Sequence, residues 1–180
     1  GTDGTFPSAW FTDLNSSNAV VVIDANKFNV PYGNPADGRA IGTFSNDQYF
    51  TVVVSGFSGG NSGDTIGGCL RLGTGVVGGA GVSGYRVKVV DGGVGGRTCA
   101  LYKVVTGTET QLGSTVNSAW ADGDVLEGRI VGTSITILRN GVSLIALTDA
   151  THSTGSPGIT GQQSGNATMR GDDFVGGDLT

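Results

Sequence analysis

DGDVLEGRIVGTSITILRNGVSLIALTD, residues 122–149, is the stretch whose reading decides the fold. Three apolar runs follow one another, separated by Gly132-Thr133 and then by Asn140-Gly141. In the first run Leu126, Gly128 and Ile130 share one face, while Val125, Glu127 and Arg129 share the other, the period-two alternation of a strand. Asn140-Gly141 supplies the two φ > 0 residues of a type I′ hairpin. The stretch therefore reads as an antiparallel meander with one face on a core and one in solvent. Glu127 and Arg129 form a solvated pair on such a sheet, either cross-strand or on one face.

Working outward, runs of the same kind recur: AVVVI (19–23), AIGTF (40–44), QYFTVVVS (48–55), GYRVKVV (84–90), CALYKVV (99–105) and ATMRGDDFV (167–175). In GYRVKVV the core face carries Tyr85, Val87 and Val89, and the opposite face carries Arg86 and Lys88. No helical pattern separates these runs, so the fold is a sandwich or a barrel. The 34 glycines among 180 residues point the same way. They exceed the ordinary share of about 7% without the G-X-Y period of collagen, and each would cost a helix interior about 1 kcal/mol. Sixteen lie between Gly56 and Gly96, mostly as doublets that read as turns. A hydrophobic fraction of 37% is too high for a disordered chain. No apolar run is long enough to cross a bilayer as a helix. The expectation is one domain over residues 19–180, preceded by an arm or first strand over 1–18.

Ten basic residues against fifteen acidic ones give a net charge of -5, and the basic residues are scattered. Nucleic acid and anionic membrane surfaces are thereby disfavoured as partners, and no membrane insertion is expected. No glycine doublet is followed by the Lys-Ser/Thr of a phosphate loop. Cys69 and Cys99 sit in neighbouring strand-like runs with GYRVKVV between them. In a meander they would lie on next-but-one strands, roughly 10 Å apart at the usual strand spacing, too far to bridge. Two buried thiols are the default reading. The opening GTDGTFPSAW lacks the basic start and apolar core of a signal peptide.

The succession from Trp120 through the Asn-Gly hairpin and Thr148-Asp149, then TGSPGI (154–159) and GDDFVGGDL (171–179), resembles the concanavalin A-like lectin/glucanase superfamily. Within it, the likeness is to laminin-G-like jelly-roll modules of bacterial or phage type, over roughly residues 40–179. The resemblance implies an all-β, antiparallel two-sheet β-sandwich of jelly-roll type. It does not by itself imply an activity, because one fold hosts many functions.

Catalysis is not expected. Glycanases of the superfamily carry a Glu-x-Asp-x-x-Glu strand, whereas this chain has only Glu109 and Glu127, neither in that pattern. Asp122 and Asp124 fall in ADGD, a turn before a strand. His152, the only histidine, reads as an exposed loop residue. The resemblance implies a structural Ca²⁺ near the terminal strands, at Asp173 with a loop carbonyl or Asp13 as partner. The alternative is that Asp172 and Asp173 serve a neighbouring turn, and no other cofactor is expected. Sugar recognition would use aromatic platforms, for which Trp10, Tyr32, Phe57 and Trp120 are the candidates in probable loops; each could instead be a core anchor.

Two function classes follow. One is a non-catalytic extracellular or virion-surface module that binds a glycan or another cell-surface ligand. The other is a structural or adhesive assembly subunit, such as a phage decoration, tail or appendage protein. In that case the arm (1–18) and the loop NVPYGNPADG (29–38) would contact other subunits.

Overall fold

The computed structural model describes residues 11–13, 22–24, 27–29, 36–57, 62–73, 81–93, 96–163 and 169–180. Among them are fourteen strands in two seven-stranded antiparallel sheets. Sheet A runs, edge to edge, β1 (Phe11–Asp13), β4 (Ala36–Ala40), β13 (Ser156–Gln162), β6 (Thr65–Leu72), β7 (Gly84–Asp91), β8 (Arg97–Val105) and β9 (Thr108–Asn117). Sheet B runs β12 (Val142–Thr148), β11 (Ser134–Arg139), β10 (Val125–Val131), β5 (Gln48–Ser55), β14 (Arg170–Asp178), β3 (Lys27–Asn29) and β2 (Val22–Asp24). This is the two-sheet jelly-roll sandwich that the sequence resemblance implied.

The deciding stretch forms β10, β11 and β12. Asn140 and Gly141 take φ values of 49° and 78°, as a type I′ turn requires. Thr106-Gly107, at 47° and 84°, makes a second two-residue turn of the same hand between β8 and β9. Glu127 accepts a hydrogen bond from Arg129 Nε on the face away from the core. Both cysteines are free thiols, and they point to opposite sides of sheet A: Cys69 opposes Arg86 and Cys99 opposes Val89.

Several strands escape a reading of periodicity. AIGTF is not a strand; the pairing segment is the preceding ADGRA, whose Asp, Gly and Arg look like loop chemistry but which pairs with β13. The polar β9, TETQLGSTVN, pairs with β8. In β13 Pro157 sits inside a strand at a register shift opposite β6, where a missing N–H is tolerated.

The core lies between the sheets. From sheet A come Ile66, Leu70, Tyr85, Val87, Val89, Leu101 and Ile159; from sheet B come Phe50, Val52, Leu126, Ile130, Ile135 and Ile137. Phe50 sets the spacing. A Cβ on Gly128, its cross-strand partner, would lie 2.3 Å from the Phe50 ring, and so would one on Gly68 of the opposing sheet. One buried ring thus occupies the volume that two glycines leave open, which accounts for a glycine in the middle of an alternating strand.

The arrangement makes Gly128→Val an overpacking change. A loss of about 1–3 kcal/mol is expected, read as a lower urea midpoint at unchanged m-value. Wild-type stability in that variant would show that Phe50 does not fix the inter-sheet distance.

Candidate ligand-binding face

Alternate residues of sheet A point away from the core, and on this outer face the sequence places charges. Arg86 and Lys88 come from β7, Asp37 from β4, Glu109 from β9 and Tyr102 from β8. Strand alternation suggested solvent for Arg86 and Lys88, but they are only 3% and 8% exposed, and Asp37 is fully buried. Desolvated charges at this depth require partners. Arg86 Nε donates to Asp37 Oδ1 at 2.9 Å while Nη2 donates to Asp37 Oδ2, a bidentate fork. Its Nη1 donates to Glu109 Oε1 at 2.6 Å, and Lys88 Nζ donates to Glu109 Oε2 at 2.8 Å. Two cations and two carboxylates close into a network without net charge.

Burial works against the Arg86 charge, but Asp37 and Glu109 outweigh it and hold the guanidinium above its ordinary range. Burial would raise Glu109; hydrogen bonds and charge from Lys88 and Arg86 outweigh it, and the carboxyl lies below the usual glutamate value. Burial, with Asp37 close by, pushes the Cys69 thiol well up, so it is no nucleophile.

The floor between these charges is built of small side chains. Along the sheet Asp37 opposes Thr160, Thr160 opposes Gly67, and Gly67 opposes Lys88. Gly158 and Cys69 fill the next row. Gly67 has no alternative, because a Cβ there would meet the Val87 carbonyl oxygen at 1.9 Å. The hydroxyls of Thr65 and Thr160 are buried on this same face, and neither has a hydrogen-bond partner. Tyr102 is half-buried at the margin, with Lys88 Nζ 5.0 Å from its ring centroid. The face thus combines a buried, paired charge network with an accessible margin, at which Glu109, 28% exposed, and the Tyr102 ring stand on a rigid sheet.

The aromatic candidates from the sequence are placed elsewhere. Trp10 and Tyr32 lie outside the described residues. Trp120 is fully buried, with the Arg139 guanidinium over its ring at 5.4 Å, and Phe57 is 5% exposed beneath Arg97 at 4.3 Å. Both rings belong to the core cluster and present no open face. The nearby acids do turn chemistry: Asp124 Oδ2 accepts from the Ala121 N–H and from Arg139, and Asp122 Oδ1 accepts from the Phe57 N–H. Asp173 is exposed at φ 47°, where the pairing of β14 with β5 shifts register, and its N–H donates to Asp172 Oδ1. Asp13 lies in β1 of sheet A, paired with Gly38 of β4, whereas Asp173 lies in sheet B. Among the described residues no three His, Cys, Asp or Glu side chains gather as a metal site.

His152 departs from the expected exposed loop position. Its ring packs edge-on against Tyr85, with centroids 5.1 Å apart, and its Nε2 is buried without a partner. Tyr85 donates to Asp149 Oδ1 at 2.7 Å and accepts from the His152 N–H at 3.2 Å. Burial pushes the Tyr85 phenol up to about 12. Burial lowers the imidazole from its ordinary 6.5; the Val104 backbone and Asp149 oppose that shift, while Lys103 and Arg71 add to it. The unfolded chain therefore takes the proton more readily, and stability falls as pH drops below about 6.5. His152→Gln should flatten the change in denaturation midpoint from about pH 7 to about pH 5.5. An unchanged pH profile in that variant would assign the acid sensitivity to other groups.

No family model and no curated protein sequence matches the chain. Solved structures do. The carbohydrate binding module CBM66 from Bacillus subtilis superposes with a TM-score of 0.66 at 13% identity, covering 95% of this chain and 94% of that one. The Ca²⁺/Man3GlcNAc-bound exoplasmic/lumenal domain of VIP36 gives 0.68 at 12%, over 95% and 84%. A legume lectin-like domain from Entamoeba histolytica gives 0.61 at 10%, over 94% and 90%. The fold is thus the concanavalin A-like jelly roll; at these identities the likeness is one of fold alone.

Proposed function

We propose that this concanavalin A-like jelly roll is a non-catalytic carbohydrate-binding module that holds a neutral glycan on the outer face of sheet A. The observation that carries the reading is the accessible margin of this face, where the half-buried Tyr102 ring and Glu109, whose side chain is 28% exposed, stand beside the rigid Asp37–Arg86–Glu109–Lys88 network. The exposed part of the Glu109 carboxylate can accept further hydrogen bonds, and sugar hydroxyls both donate and accept. The network's zero net charge favours a neutral ligand over an acidic one, and Tyr102 supplies an apolar surface for a sugar ring. The structurally similar proteins support the reading, since their names describe a carbohydrate binding module, a legume lectin-like domain and a Man3GlcNAc-bound domain. A Ca²⁺ at Asp173 belongs to the proposal only as a stabilising ion, as does a location outside the cytoplasm, on a cell or virion surface. No helix among the described residues is long and apolar enough to cross a membrane.

Glu109→Gln keeps the shape of the side chain but removes its charge, and Tyr102→Ala removes the ring. Each should weaken binding on a glycan array by about tenfold or more, since a hydrogen bond to a charged group contributes about 1.5–3 kcal/mol. Undiminished binding by both folded variants would move the site off this face.

The assembly reading keeps one supporting observation. The edge strands β9 and β12 are ten and seven residues long, β12 carries no charge, and Val142 is 66% exposed. Long uncharged edges invite pairing with another chain. Native mass measurement should then give oligomers, and a monomer at high concentration would remove that reading.

A further inference from the structure

At the end of the sandwich away from Trp120, the loop before β5, the β10–β11 turn and the loop after β12 surround an open cleft of about 600 Å³. That volume is within the range of small-molecule sites. Its walls carry Ser45, Asn46, Asp47, Thr133, His152 and Ser153. None of these residues belongs to the outer face of sheet A.

Arg71 makes the cleft rigid. Its side chain is 3% exposed, and its backbone takes φ 48°. Nε and Nη2 donate to the Asn46 carbonyl at 2.8 and 2.6 Å, Nη2 to the Gly132 carbonyl at 2.7 Å, and Nη1 to the His152 carbonyl at 2.8 Å. One guanidinium thus fixes all three loops. Its own backbone is held in turn: the N–H donates to Gln48 Oε1, and a Cβ on Gly155 would lie 2.3 Å from the Arg71 carbonyl carbon. Walls fixed in advance reduce the ordering cost of binding.

We propose that this cleft is a second binding site, for a neutral polyhydroxylated ligand of about one or two sugar rings. The charges exclude the alternatives. An anion would find the Arg71 donors committed to carbonyls, and it would face Asp47, whose side chain is 42% exposed, in a chain of net charge -5. A metal ion lacks a three-ligand set among the described residues. Hydroxyl groups meet what the walls offer. Asp47 Oδ1 accepts from the Gly132 N–H and its second oxygen is left as an acceptor. The Thr133 and Ser153 hydroxyls and the Asn46 amide supply donors and acceptors, and Ser45 Oγ, which donates to the Asp47 carbonyl, is left as an acceptor. Ala150 and Leu179 add apolar surface for ring C–H groups.

The site does not depend on the outer-face reading, and the experiment separates the two. The full chain, labelled with ¹⁵N, is titrated separately with D-glucose, D-mannose, D-fructose and D-glucuronate. Saturable shifts of the Gly132, Thr133 and Ser153 amides are expected with at least one neutral sugar. They should persist in Glu109→Gln and be lost in Asp47→Ala and in Thr133→Trp, whose exposed side chain would fill the cleft. Absence of saturable shifts at these amides with every neutral sugar would overturn the proposal. So would shifts that survive both cleft variants, or a stronger response to glucuronate than to any neutral sugar.

Discussion

Arg86 lies on β7 and Asp37 on β4, with β6 and β13 between them, so their bidentate contact ties four neighbouring strands of sheet A together. Breaking it from one side would leave a buried, unpaired charge, at a cost of about 3–5 kcal/mol. The strands that the pair spans are therefore poor in side chains: Gly67, Cys69 and Gly158 leave a path for the long arginine over the sheet. Glu109 and Lys88 then complete the charge balance from the other side. The polar face follows from this one requirement, that a guanidinium out of water be matched by carboxylates.

The opposite face of the same sheet is governed by packing. Phe50 occupies the space of Gly68 and Gly128, and Phe28 covers Gly171 in the same manner, 2.1 Å from where a Cβ would stand. Large rings over glycines let a chain with 34 glycines still fill its interior. β6 shows both uses at once, with Gly68 admitting a ring on the core side and Gly67 clearing the backbone on the other.

Much of the fold is legible in the residues themselves. QYFTVVVS coincides with β5, GYRVKVV with β7 but for one residue, and the Asn140-Gly141 turn has the expected geometry. β4, β9 and β13 are not, because ADGRA, TETQLGSTVN and SPGITGQ owe their extended form to partner strands rather than to local preference. The candidate face was legible only in part. Arg86 and Lys88 stand out as the polar side of an alternating strand, but alternation reports which face a side chain takes and nothing about how deeply that face is covered.

The chain alone determined the all-β class, the hairpins and the two sides of each regular strand, because these depend on neighbours one to four residues apart. Only the tertiary structure decided which charges meet. Asp37 and Arg86 are 49 positions apart and Arg86 and Glu109 are 23 apart. Arg71 reaches His152 across 81. Such contacts are set by strand order and register, which place residues side by side through hydrogen-bonded pairing and leave no periodic mark in the sequence.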